Sequence, residues 1–183
     1  MDYVLASASP RRKELLSLIL NCFEVIPATA EEKVNISFFP EQIACSLAEH
    51  KCAEVFASNC GKTVIGCDTL VVLEGEILGK PKDRDDAFAT LKRLSGKRHY
   101  VITGVCVRNK YKTLTKYEKT EVKFNVLSDE FIKTYVDGGS PMDKAGSYGI
   151  QDEGLVQEYY GSYTNVVGLP VSLVKNMLEE VRG

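Results

Sequence analysis

Ser7-Ala8-Ser9-Pro10-Arg11-Arg12 concentrates hydroxyls and guanidiniums at what reads as the start of a helix. Ser9 has the short oxygen-bearing side chain of an N-cap, and Pro10 suits the first helical position, where an N–H would have no intrahelical partner. Arginines just inside that start are unusual. A helix N-terminus already carries roughly half a positive charge, so each cation there is unfavourable by about 0.3–1 kcal/mol. An anionic partner would offset this cost: backbone N–H groups, the hydroxyls of Ser7 and Ser9 and two guanidiniums describe a site for a polyanion, most economically a phosphate chain. The plainer alternative is that the serines only cap and the arginines are solvated.

Asp68 is the second place where chemistry stands out. It follows the apolar run Thr63-Val64-Ile65-Gly66-Cys67, and Leu70 to Leu73 is apolar again. A carboxylate in such a setting is costly unless it is paired, hydrogen-bonded or bound to a metal. The pattern places it at the carboxyl end of a buried strand, where ligands collect in open α/β sheets. Lys51 lies on the apolar stripe of a predicted helix, so its ammonium either runs outward along its stem or points at an anion. The adjacent acids Glu31 and Glu32 read, on local grounds, as a solvated loop. Gly79-Lys80-Pro81 is not a Walker A loop, since Pro81 stands where a hydroxyl is required, and Gly61-Lys62-Thr63 precedes a strand instead of opening a helix.

The elements that must hold these residues follow from periodicity. Tyr3 to Ala6 predicts a strand, followed by a tight turn and a helix with Leu15, Leu16, Ile19 and Leu20 on one side. A second short strand is expected over Phe23–Pro27, and a helix from Pro40 to Ser58 with Ala44, Leu47, Ala48 and Val55 on one stripe. After a turn at Glu74-Gly75-Glu76, Asp83 to Leu94 predicts a helix with acids at its start and Lys92 and Arg93 at its end. Arg98–Val107 and Thr113–Val126 read as strands, and Asp129–Val136 as a short helix entered from Ser128 and ended by Asp137-Gly138-Gly139. Pro141 to Gln151 shows no period and reads as a loop where backbone approaches something closely. Leu155–Tyr160 predicts a strand, Gly161-Ser162-Tyr163 a turn, and Leu169-Pro170 opens a helix to about Val181. No repeat or linker divides the chain, so one domain over residues 1–183 is expected, with room for two lobes.

At 183 residues, with 44% hydrophobic and 26% charged side chains, the chain has the composition of a soluble globular protein. A net charge of -2 argues against a general nucleic-acid binder but leaves room for a small anionic ligand. The start of the chain does not read as a secretory signal, and no apolar run approaches the length of a bilayer span, so a cytoplasmic protein is expected. The six cysteines are scattered without metal-type spacing and read as reduced core residues.

Taken together, the motifs resemble those of the Maf family of nucleoside triphosphate pyrophosphatases. The matching segments are Ser7 to Leu16, Gly66-Cys67-Asp68-Thr69, Gly79-Lys80-Pro81, Leu94-Ser95-Gly96, Asp143 to Gln151 and Val167-Gly168-Leu169-Pro170, in that order. The resemblance implies an α/β fold shared with the inosine triphosphate pyrophosphatase group: an elongated curved mixed sheet with flanking helices, and two lobes around a nucleotide cleft. It implies cleavage between the α and β phosphates of a nucleoside triphosphate, with Mg²⁺ or another divalent cation such as Mn²⁺ or Co²⁺. It also implies a house-cleaning role in nucleotide pools, and in bacteria a link to arrested septum formation. A homodimer is left open; neither nucleic acid nor membrane is expected as a partner.

Carried over residue by residue, Asp68 matches the family's catalytic acid. Ser7, Arg11, Arg12, Glu32, Lys51 and Lys80 match residues lining its triphosphate site, with Glu32 and Asp68 as the carboxylates suited to the metal. Arg11, Thr69 and Gln151 occupy the three positions that separate the branches, and the combination resembles the branch acting on dTTP and UTP. A glutamine amide both donates and accepts, as pairing with a pyrimidine edge requires. The stretch Asp152 to Tyr159 departs from the family in being more acidic. Whether Asp68 mainly holds metal or mainly takes a proton stays open at this point, as does an alternative in which the protein binds nucleotide and acts through a partner.

Overall fold

The computed structural model describes residues 2–29 and 39–182. Its elements, in order, are β1 (Tyr3–Ala6), α1 (Pro10–Ser17), β2 (Glu24–Val25), α2 (Pro40–Ala57), β3 (Thr63–Leu73), β4 (Glu76–Leu78), α3 (Arg84–Leu94), β5 (Arg98–Arg108), β6 (Thr113–Phe124), α4 (Asp129–Asp137), β7 (Val156–Tyr160), α5 (Tyr163–Val167) and α6 (Val171–Arg182), with two short 3₁₀ turns, Ser140–Asp143 and Ala145–Ser147. The strands form one mixed sheet in the order β2-β1-β3-β5-β6-β7, with β4 on β3. β1 is parallel to both β2 and β3, whereas β4 runs antiparallel to β3, and β7 to β6. This is the mixed α/β sheet with flanking helices that the family resemblance implies.

The chain gathers into two compact units. One takes the segments up to Asp68, Thr103–Glu118 and Gly168 onward; the other takes Thr69–Ile102 and Lys119–Val167. In the first unit side chains alternate between two helical layers. Val4, Ala6, Val64 and Cys106 pack with Ala48, Cys52, Val55 and Phe56 of α2. Tyr3, Leu5, Ile65, Cys67, Val105 and Val107 pack with Leu16, Leu20, Val174, Met177, Leu178 and Val181 from the α1 and α6 segments. Burial on both faces is why these strands read as nearly continuous apolar runs. The second unit has its own core, in which Val71, Leu73, Val101, Val122 and Phe124 meet Ala87, Leu91 and Leu94 of α3 and Ile132 and Val136 of α4.

Two glycines let α2 lie unusually close to the sheet. A Cβ on Gly66 would run into the Ala48 carbonyl and stand 2.8 Å from Cys52 Cβ, and one on Gly104 would overlap the Ala44 carbonyl. No helix among the described residues is long and apolar enough to cross a membrane.

Several boundaries differ from the sequence reading. Asp68 does not end a strand: β3 runs through it without a break, so the two apolar runs are one eleven-residue strand. β2 shortens to Glu24–Val25, and α1 stops at Ser17. Helix α5 forms where only a turn was expected. Its Asn165 is buried and donates to Val101 O at 3.0 Å and Thr120 Oγ1 at 2.9 Å, partners no local pattern announces. All six cysteines are free; Cys52, Cys67 and Cys106 are core residues, Cys45 is half-buried, and Cys22 and Cys60 are exposed.

Candidate functional site

Asp68 shares its sheet face with Val64 and Gly66, because side chains in a strand alternate. That is the face α2 covers, and Gly66 brings the helix down onto it. Lys51, three residues beyond Ala48 on α2, therefore meets Asp68: its Nζ forms a short ion pair with Asp68 Oδ1. Asp68 is only 8% exposed, so the carboxylate in the apolar run has the partner its burial requires. Of the two courses open to Lys51, it takes the one toward an anion.

β3 changes neighbours at this place. Its last pairing with β1 is Gly66 with Ala6, and its first with β4 is Val71 with Leu78. Cys67 to Leu70 lie between, and a main-chain carbonyl there needs another donor. Arg12 provides it: Nη1 donates to Cys67 O at 2.8 Å, while Nε donates to Gly168 O, also at 2.8 Å. Arg12 Nη1 also reaches Ser7 Oγ at 3.4 Å. Ser9 caps α1 by accepting from Arg12 N, and Ser7 Oγ accepts from Ser9 N. Burial pushes the Cys67 thiol up to about 12, so it stays protonated and serves as packing, not as a nucleophile.

The first unit thus brings together Ser7, Arg12, Lys51 and Asp68, with Arg11 half-buried on the same helical turn. Glu32 lies outside the described residues. Thr69, Lys80 and Gln151 belong to the second unit. There, Lys80 is exposed just after β4, and the carbonyl of its neighbour Gly79 accepts from Gly146 N at 2.9 Å. Gly146 has a φ of +66° and packs against Val71, so a Cβ would come within 2.8 Å of that side chain. Gln151 is exposed at the end of this loop. The next residue, Asp152, accepts from Tyr135 Oη at 2.6 Å and Ser140 Oγ at 3.0 Å. In the sequence Asp152 stands out only as part of an acidic stretch; in the structure it is the acceptor that ties down the loop carrying Gln151. The two carbonyls on Arg12 were equally out of reach, since backbone acceptors leave no signal in residue type.

The family model described as Maf-like protein matches residues 2–181. The chain belongs to the Maf family. Maf relatives of similar length include a dTTP/UTP pyrophosphatase of Thermococcus gammatolerans, 48% identical over 178 residues that cover 96% of this chain and 95% of the relative. Another, from Aquifex aeolicus and likewise named dTTP/UTP pyrophosphatase, is 46% identical over 183 residues, covering 99% and 96%. A Bacillus cereus protein of the same name is 47% identical, covering 97% and 94%. Among solved structures, the Staphylococcus aureus Ham1 protein aligns with 99% of this Maf chain and 100% of its own, with a TM-score of 0.52 and 16% identity; that likeness is one of fold.

Proposed function

We propose that this Maf protein hydrolyses dTTP and UTP to the nucleoside monophosphate and pyrophosphate, acting on free nucleotides in the cytoplasm. The observation that carries the reading is the buried Lys51–Asp68 pair at the neighbour change of β3, in a chain similar over nearly its whole length to proteins named for that activity.

Attack of water on the α phosphorus forms a new P–O bond and breaks the one to the bridging oxygen, which departs with pyrophosphate. Asp68, fixed through Oδ1 by Lys51, accepts the proton of the attacking water. Arg11, Lys51 and Lys80 neutralise the polyphosphate and the charge gathering on the departing group. Thr69 and Gln151 face the choice of base, the amide pairing with the carbonyl and N–H of a pyrimidine edge.

The described residues contain no cluster of three or more His, Cys, Asp or Glu able to hold a metal. This donor chemistry fits Mg²⁺, which is held by one or two carboxylates while keeping waters and phosphate oxygens as its other ligands. Asp68 and Glu32 would hold it, and when bound it supplies charge neutralisation on the phosphates. Pyrophosphate release from a panel of nucleotides, with Mg²⁺ and with chelator, tests the reading. Release strongest with dTTP and UTP, dependent on metal and lost in Asp68→Asn, is the expected result; no release from any nucleotide overturns it.

A further inference from the structure

We propose that Arg12 is a positioning residue that holds the peptide carrying Asp68, and not one of the cations that grip the triphosphate; this rests on the reaction proposed above. Residue type and position alone suggest a phosphate ligand. The geometry points elsewhere. Two of its nitrogens donate at 2.8 Å to main-chain carbonyls from segments far apart in sequence, Cys67 and Gly168.

The Cys67 carbonyl is not an arbitrary acceptor. A peptide unit is planar, so fixing the oxygen of residue 67 fixes the N–H and Cα of residue 68 with it. On the side where β1 has already ended, the guanidinium takes over the donor role a neighbouring strand would fill. Its second anchor, the carbonyl of Gly168, sits where the backbone turns at a φ of +121° before Pro170 and α6. Arg12 therefore links the first turn of α1, the strand bearing Asp68 and the entry to α6. The same contacts explain how a cation is tolerated in the first turn of a helix: the partial negative charges of two carbonyls oppose the dipole. A guanidinium can span two separate acceptors with its fixed fork, whereas an ammonium is a single point.

The test is steady-state hydrolysis of dTTP with Mg²⁺ by the wild type, Arg12→Lys and Arg12→Ala, with circular dichroism to establish that each is folded. A positioning role predicts that kcat falls by about 10-fold or more in Arg12→Lys while KM stays within about threefold, because a contact made to the enzyme itself does not contribute uniform substrate binding. Millimolar guanidinium is expected to restore part of kcat to Arg12→Ala and to leave the wild type unchanged. If Arg12→Ala does not fold, Arg12→Lys decides the kinetic question. A loss falling mainly on KM, or kinetic constants equal to the wild type, overturns the proposal. Should the wild type release no pyrophosphate, the functional reading fails by itself, and amide hydrogen exchange decides the positioning. Exchange at Asp68 and Thr69 about tenfold faster in Arg12→Lys, with β7 unaltered, supports it, and equal exchange overturns it.

Discussion

Removing the charge of Asp68 while keeping its shape, as Asp68→Asn does, is expected to lower kcat for dTTP by about 100-fold or more with the fold intact, measured by pyrophosphate release beside circular dichroism. Lys51→Ala is expected to do two things at once. Activity falls by a similar factor, and a mostly buried carboxylate loses its ammonium partner, which costs about 2 kcal/mol of stability, readable by urea denaturation. Gln151→Ala belongs to a different class. Gln151 is exposed, so stability should hold within about 0.5 kcal/mol, while the ratio of kcat/KM for dTTP to that for a purine nucleotide drops. Equal losses on every nucleotide would remove Gln151 from base selection. At this scale, residue types with an awkward fit were legible: an aspartate in an apolar run and a lysine on an apolar stripe turned out to need each other. Their pairing was not, because they lie on different elements, and Gly66, set against Ala48 and Cys52 of α2, is what brings the elements close.

Helix α2 owes its depth to missing side chains. Gly104→Ala would drive a methyl into the Ala44 carbonyl, and the neighbouring group is backbone, which cannot swing away. The expected cost is about 3 kcal/mol, or a Tm lower by about 10 °C in calorimetry. Any helix displacement should also draw Lys51 from Asp68 and lower kcat. Long periodic elements were legible from sequence: α2, α3, α4 and α6 lie within a residue or two of their predicted limits, since amphipathic spacing and caps such as Ser128 and Asp83 are local signals. β3 was not read as one strand, because the polar pair Asp68-Thr69 interrupts the apolar pattern, and only tertiary partners make the interruption acceptable. Helix α5 was missed for a related reason: five residues are too few to carry a period, and Asn165 is held by bonds to β5 and β6.

Within the core of the second unit, His99 is 1% exposed, makes edge-on contacts with Phe124 and Tyr148, and shares a hydrogen bond of 2.7 Å with the Tyr148 hydroxyl. Burial lowers its pKa from 6.5 to about 4. The unfolded chain therefore binds a proton that the folded one refuses between those values, so stability is full above about pH 6.5 and is lost as pH falls toward 4. The loss should reach about 3 kcal/mol by thermal or urea unfolding across that range, and His99→Phe should flatten it. The division into units also constrains how the chain is made. The layer over Leu5, Ile65 and Val105 is completed by Val174, Met177, Leu178 and Val181 of α6, which leaves the ribosome after every other element described above. A nascent chain leaving the ribosome can close the core of the second unit first, while the earlier-made segments of the first unit wait with one apolar sheet face covered only by the α1 segment. Arrested or truncated chains lacking α6 are thus the ones that chaperones should hold longest, and on which proteases should act.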